Sequence, residues 1–272
     1  MDDGLVGIAF QGELKHFAAS DKDTGQIQVQ LERRTSVKDL IEACGPPHTE
    51  IGGLSINDRP ADFTRIVSPG DVIVAEPHLP PVDPFQPSLL RPAALKDIRF
   101  VVDVNVGKLA PMLRMLGFDT AYHWTWRDRA IAELADKEGR IVLSRDIGLL
   151  KRKRIVWARL IRGRRPEEQL PEVLDFFGLR GPFSLFSRCL RCNIPLEAVD
   201  KSEIIHRLEP KTKRSFHHFR ICPSCQRLFW RGSHHERMIE RIESILGPSR
   251  LNIDPGHVGE PSPGRTAGRI AP

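Results

Sequence analysis

The chain has 272 residues, a formal net charge of +6, and 40% hydrophobic against 28% charged residues. That balance predicts folded domains rather than wholesale disorder, and the length allows two compact domains or three small ones. No stretch approaches the roughly 18–20 apolar residues of a membrane helix, so no membrane partner is expected. The acidic start Met1-Asp2-Asp3 lacks the basic region of an export signal, so the expected location is cytoplasmic. Charge is unevenly spread. Residues 1–80 hold 7 Lys/Arg against 13 Asp/Glu, whereas the remainder holds 34 against 22. A basic body behind an acidic head points to a polyanion partner for the later part only.

Residues 1–78 read as a small α+β unit. Leu5–Phe10 and the alternating Ile27, Val29, Leu31 read as strands, and Thr35 or Ser36 can cap a helix carrying Val37, Leu40 and Ile41. Two short strands follow near Leu54–Ile56 and Val72–Ala75, the latter after the turn Pro69-Gly70-Asp71. This ββαββ order resembles the β-grasp, ubiquitin-like fold of small sulfur carriers. Carriers need a free C-terminal Gly-Gly, but the only Gly-Gly here is internal, at Gly52-Gly53. Cys44 reads as a small buried hydrophobe. Six prolines between Pro77 and Pro92 predict an extended linker over residues 79–96.

Residues 97–180 read as an α/β unit with a parallel sheet. Ile98–Val102 and Ile141–Leu143 are apolar enough for buried strands, with a third strand expected within Ile155–Leu160. Helices carrying Leu109, Leu113, Leu116 and Ala130, Ile131, Leu134, Ala135 lie between them. Pro111 sits awkwardly in the first of these. Asp103 and Asp146 fall at the carboxyl ends of two strands, where open parallel sheets gather their sites. Asp128 opens the second helix, where an aspartate also serves as a simple cap. Carboxylates converging on one cleft repel one another unless a hard divalent cation neutralises them.

The stretches FVVDVNVGKLAPMLRMLGFDT and RDRAIAELADKEGRIVLSRDIGLLKR resemble the PIN-type RNase domain of the Mut-seven C-terminal RNase family. The resemblance implies Mg²⁺- or Mn²⁺-dependent cleavage of RNA, with Asp103, Asp128 and Asp146 as the catalytic acids. Ser144 stands where the family's T-R-D motif has threonine. The family also implies an N-terminal ubiquitin-like domain and a C-terminal zinc ribbon. Many PIN nucleases carry a fourth acid, for which Asp119 is the nearest candidate.

The run Lys151–Arg165 holds eight basic residues and no acid. Arg145, Lys151, Arg152, Lys153, Arg154, Arg162, Arg164 and Arg165 are therefore candidate RNA-backbone contacts. Trp157 within the run suits either the core or a base stack. Tyr122, His123, Trp124 and Trp126 suit either the core or a substrate wall. Cys189-x-x-Cys192 and Cys222-x-x-Cys225, 29 residues apart, read as a tetrahedral structural zinc site within residues 181–246. A redox role for one pair fits less well, since such motifs do not come as matched pairs. Trp230-Arg-Gly-Ser-His234 matches the same family's W-x-G-S-H ending, and His217 and His218 are spare ligand candidates. Residues 247–272, rich in Gly and Pro, are expected to be a disordered tail.

The sequence thus points to an RNA-cleaving enzyme with a protein partner for its first domain, whose acidic surface would dock on the basic body. The rival is an RNA-binding adaptor that keeps the fold without turnover.

Overall fold

The computed structural model describes residues 4–18 and 23–251. The first domain is a five-stranded mixed sheet holding one helix. Strands β1 (Leu5–Phe10), β2 (Gln26–Gln30), β3 (Ile51–Ile56), β4 (Arg59–Pro60) and β5 (Val72–Pro77) lie in the order β2-β1-β5-β3-β4. Helix α1 (Val37–Cys44) starts where the Ser36 hydroxyl accepts the Asp39 N–H at 3.1 Å. Period-two alternation in β1 turns Val6, Ile8 and Phe10 onto Val37, Leu40 and Ile41 of the helix. The parallel pairing of β1 with β5 completes the ubiquitin-like fold expected. Gly52-Gly53 lies inside β3, where a Cβ on Gly52 would come within 2.6 Å of His78. This Gly-Gly serves close backbone approach, not a carrier terminus.

The second domain holds four parallel strands: β6 (Arg99–Val102), β7 (Asp119–Ala121), β8 (Ile141–Ser144) and β9 (Ala158–Leu160). Helices α2 (Leu109–Met115), α3 (Asp128–Glu138), α4 (Ile147–Leu150) and α5 (Pro166–Phe176) are interleaved with them. Phe100, Val102, Ile141 and Leu143 point to one face and pack against α2 and α5. Val101 and Val142 point to the other and meet Ile131, Ala135 and Leu149. Pro111 is the third residue of α2, where a helix has no intrahelical use for an N–H. Helix α5 was not anticipated, although Pro166 at its first turn and Glu168 folding back on Arg165 mark its start.

The strand order β7-β6-β8-β9 reverses direction between β6 and β8. A ligand crevice is expected beyond the carboxyl ends of those two strands.

The C-terminal part contains β10 (Glu197–Val199), α6 (Lys201–Ile204), α7 (Pro210–Ser215), β11 (Phe219–Ile221) and β12 (Leu228–Phe229). Helices α8 (Ser233–Leu246) and α9 (Pro248–Leu251) follow. Ile242, Leu246 and Leu251 are buried in the same core as α2 and α5. The chain from residue 181 therefore shares that core through α8 and α9 and adds a small cluster of its own, Ile204, Leu208 and Phe219. Order also runs past the expected tail boundary at 247, and residues 252–272 lie outside the described residues.

The proline-rich segment is not an extended spacer. Val82, Phe85 and Leu95 pack on the second domain, and Leu90 packs on the first. Arg91 is buried and clamps the two together. Its guanidinium donates to the carbonyls of Ile51 (2.9 Å), Thr49 (3.1 Å), His48 (3.3 Å) and Val156 (3.2 Å), over the Trp157 ring. Burial lowers it only to about 10, so it remains charged at neutral pH. Glu50, 1% exposed, pairs with Arg159 at 2.8 Å and accepts the Leu160 N–H at 2.9 Å. The acidic first domain thus docks on the basic body, as the charge asymmetry predicts.

His78 sits at this junction, edge-on to Phe176, with its Nε2 3.2 Å from the Thr49 carbonyl. Burial, then the Arg91 charge, pushes its imidazole down to about 3. Its counterpart in the unfolded chain protonates near 6.5, so the unfolded state binds the extra proton between those values. Stability present above about pH 6.5 is therefore lost as pH falls toward 3, at up to about 1.4 kcal/mol per pH unit. Urea midpoints should fall on acidification. His78→Gln, which keeps a donor for Thr49, should flatten that fall. An identical pH profile for the variant would show that His78 does not drive it.

Candidate active site

Asp103 follows β6 and is 6% exposed. Its Oδ1 accepts the Val104 N–H at 2.6 Å, and its Oδ2 accepts Asn105 Nδ2 at 2.6 Å and Ser144 Oγ at 2.7 Å. Ser144, the last residue of β8, is wholly buried. Its hydroxyl donates to Asp103 and accepts both the Asp146 N–H (2.9 Å) and Asn105 Nδ2 (3.2 Å). One donor and two acceptors exhaust a hydroxyl. This oxygen locks the two strand-end loops into one geometry.

Asp146 caps α4, its Oδ1 accepting from Gly148 (2.7 Å) and Leu149 (3.3 Å). Asp128 opens α3 and pairs through Oδ2 with Arg152 at 3.2 Å. All three aspartates line one open cleft of about 460 Å³, with Val104, Asn105, Trp124, Thr125, Trp126 and Arg127. Asp103 and Asp146 form no ion pair among the described residues, in contrast to Asp128.

Asn105 was not anticipated. Its Oδ1 also accepts the Arg145 N–H at 3.1 Å, so it ties the two loops a second time. The spacing Asp103-x-Asn105 directly after a buried strand is the signal that could have flagged it. Asp119 lies elsewhere. It pairs with Arg140 at 2.6 Å and accepts Asn193 Nδ2 at 2.7 Å. Burial raises its carboxyl, but these partners outweigh that and hold it below the usual range. It is not a fourth acid of the cleft.

The basic run divides. Arg152, Lys153 and Arg154 line a depression of about 400 Å³ with Arg129 and Glu133. Arg145 and Arg164 are exposed. Lys151 instead donates to the Glu42 carbonyl at 2.6 Å, and Arg162 pairs with Glu13 at 2.7 Å. Both are turned to the first domain, Arg162 by an acid and Lys151 by a backbone carbonyl. Arg165 pairs with Glu168 in the first turn of α5. Trp157 is core, 6% exposed.

The four cysteine sulfurs lie within 4.8 Å of one another, compatible with a zinc ribbon. The two knuckles are equivalent. Cys189 N–H bonds to Ile194 O and Cys222 N–H to Arg227 O, while Asn193 and Gln226 take φ of 66° and 58°. The Arg227 backbone N–H holds the Cys225 thiol down at about 7, while burial pushes the Cys192 thiol up to about 12. His217, His218 and His234 are exposed, outside the cysteine group and the cleft.

Residues 98–242 match the Mut7-C RNAse domain, and residues 4–83 match Mut7-C ubiquitin. The chain belongs to the Mut7-C RNAse domain family. The Mut7-C RNAse match spans the parallel sheet, the cysteine knuckles and most of α8, in keeping with their shared core. No curated protein and no solved structure matches the chain.

Ser144→Ala should leave Asp103 Oδ2 and the Asp146 N–H short of a partner. The expected loss is about 1–3 kcal/mol of stability by chemical denaturation. Unchanged stability would show that the hydroxyl does not hold the loops together.

Proposed function

We propose that the chain is a ribonuclease that hydrolyses RNA phosphodiester bonds with Mg²⁺ or Mn²⁺ held by Asp103, Asp128 and Asp146. The observation that carries this reading is the pair of aspartates at adjacent strand ends, the Asp103 carboxylate and the Asp146 backbone N–H tied through the Ser144 hydroxyl, with neither carboxylate in an ion pair among the described residues. Hard oxygen donors of this kind suit Mg²⁺ or Mn²⁺. Such a cation, when bound, activates water and offsets charge on the scissile phosphate. Hydrogen bonds position both oxygens of Asp103 and Oδ1 of Asp146, leaving Asp146 Oδ2 the least engaged. Asp128 joins them at the expense of its Arg152 pair, which frees that guanidinium for a phosphate oxygen. Arg145, Arg152, Lys153 and Arg154 then hold the RNA backbone, with Arg164 as a more distant contact.

Four thiolates in two equivalent knuckles would hold Zn²⁺ in a closed site, so its role is structural. In this reading the ubiquitin-like domain keeps its edge strands β2 and β4 available to a protein partner.

Asp146→Asn keeps the side chain's shape but removes a charge from the cation site. Cleavage of labelled RNA across a Mg²⁺ and Mn²⁺ titration should fall by orders of magnitude, with little change in melting temperature. Wild-type turnover by the folded variant would refute the site. Wild-type protein that binds RNA and never cuts it would be the adaptor instead. Elemental analysis of freshly purified protein should find about one zinc per chain. Its absence would remove the ribbon's metal.

A further inference from the structure

We propose that Trp124 is a stacking platform for an unpaired nucleobase, so that the cleft takes single-stranded rather than duplex RNA. The proposal rests on the ribonuclease reading of the same cleft. Trp124 is 71% exposed, whereas Trp157 is buried in the core. An indole left in water gives up a large share of the burial energy available to it. It lies in the loop between β7 and α3, on the wall of the cleft that holds the three aspartates.

The ring is braced. The His123 imidazole lies nearly parallel to it, 23° off, with centroids 6.1 Å apart. Thr125 directs its hydroxyl and its N–H to His123 Nδ1 at 2.7 and 3.3 Å, and Trp126 lies 6.0 Å from the same imidazole. Val104, 54% exposed, adds an aliphatic side chain to the cleft beside Trp124 and Trp126.

A wall that is apolar and flat beside carboxylates repels phosphate and favours the face of a base. In a duplex those faces are already stacked on each other, so only a single strand can offer one. Base–aromatic stacking is also tolerant of sequence, which predicts little preference among bases.

The test measures binding of labelled oligouridylate and oligoadenylate, and of an RNA duplex of the same length, without added Mg²⁺ or Mn²⁺. Wild type should bind the single strands more tightly than the duplex, with quenching of indole fluorescence. Trp124→Ala should weaken single-strand binding about 10- to 100-fold, leave duplex binding unchanged, and melt like wild type. Trp124→Phe should stay close to wild type, because it keeps an aromatic face. Equal losses on both forms of RNA, or no loss on either, would overturn the stacking proposal and leave the ribonuclease reading standing. Wild type that neither binds nor cuts RNA would end both.

Discussion

Strands β7 and β9 are three residues long, and each borders the parallel sheet with backbone groups that a lone sheet would leave unpaired. Both edges are closed by side chains, several of them from outside the sheet's own domain. At β7 the Thr120 N–H meets Asn193 Oδ1 at 2.9 Å, and Arg114 Nε meets the Thr120 carbonyl at 2.9 Å. Arg114 also donates to the carbonyls of Leu190 and Arg191, which binds the cysteine knuckle to the same edge. At β9 the Leu160 N–H meets Glu50, with His48 and Arg91 taking the nearby carbonyls of Ile155 and Val156. Edge groups are a standing route to wrong pairing, and here each appended module covers one. That constraint accounts for three modules sharing one body.

The covering is costly in charge. Glu50 is pushed up by burial, with Arg159 opposing the rise. Removing one member of a buried pair typically costs about 3–5 kcal/mol, although the intact pair adds little net stability. Its contribution is one of geometry. Arg159 also lies 4.3 Å over the Phe176 ring and 3.5 Å from Glu13 and Glu172, so a single side chain joins the first domain, β9 and α5.

Much of this was legible in the residues. Strands β6 and β8 are mostly apolar, and each is followed by an aspartate one or two residues on, which placed Asp103 and Asp146 together before any contact was known. The matched C-x-x-C pairs located the knuckles. What failed was composition read without periodicity. Prolines between 77 and 92 suggested a spacer, but Val82, Phe85 and Leu90 lie among them at intervals that suit packing. The basic run suggested one RNA-binding strip. In β9, however, Ala158 and Leu160 face the core, so alternation turns Arg159 the other way, onto Glu50. Contacts made by Arg91 and Asn193 across long chain separations carry no local signal at all.

That division of the basic run shapes the surface left to a polyanion. Lys151, Arg159 and Arg162 are held by acids or carbonyls of the first domain and cannot serve a phosphate without undocking it. Of the cations that remain, Arg152, Lys153 and Arg154 lie beside Arg129 at the start of α3. Arg152 touches Asp128, so this depression adjoins the aspartate cleft. An acidic first domain therefore does more than balance charge. By occupying one half of the run it leaves the Arg152–Arg154 depression as a cationic surface next to the carboxylates. In the ribonuclease reading proposed above, a strand entering that way would meet Arg152, Lys153 and Arg154 first, and the strand-end aspartates at the end of its path.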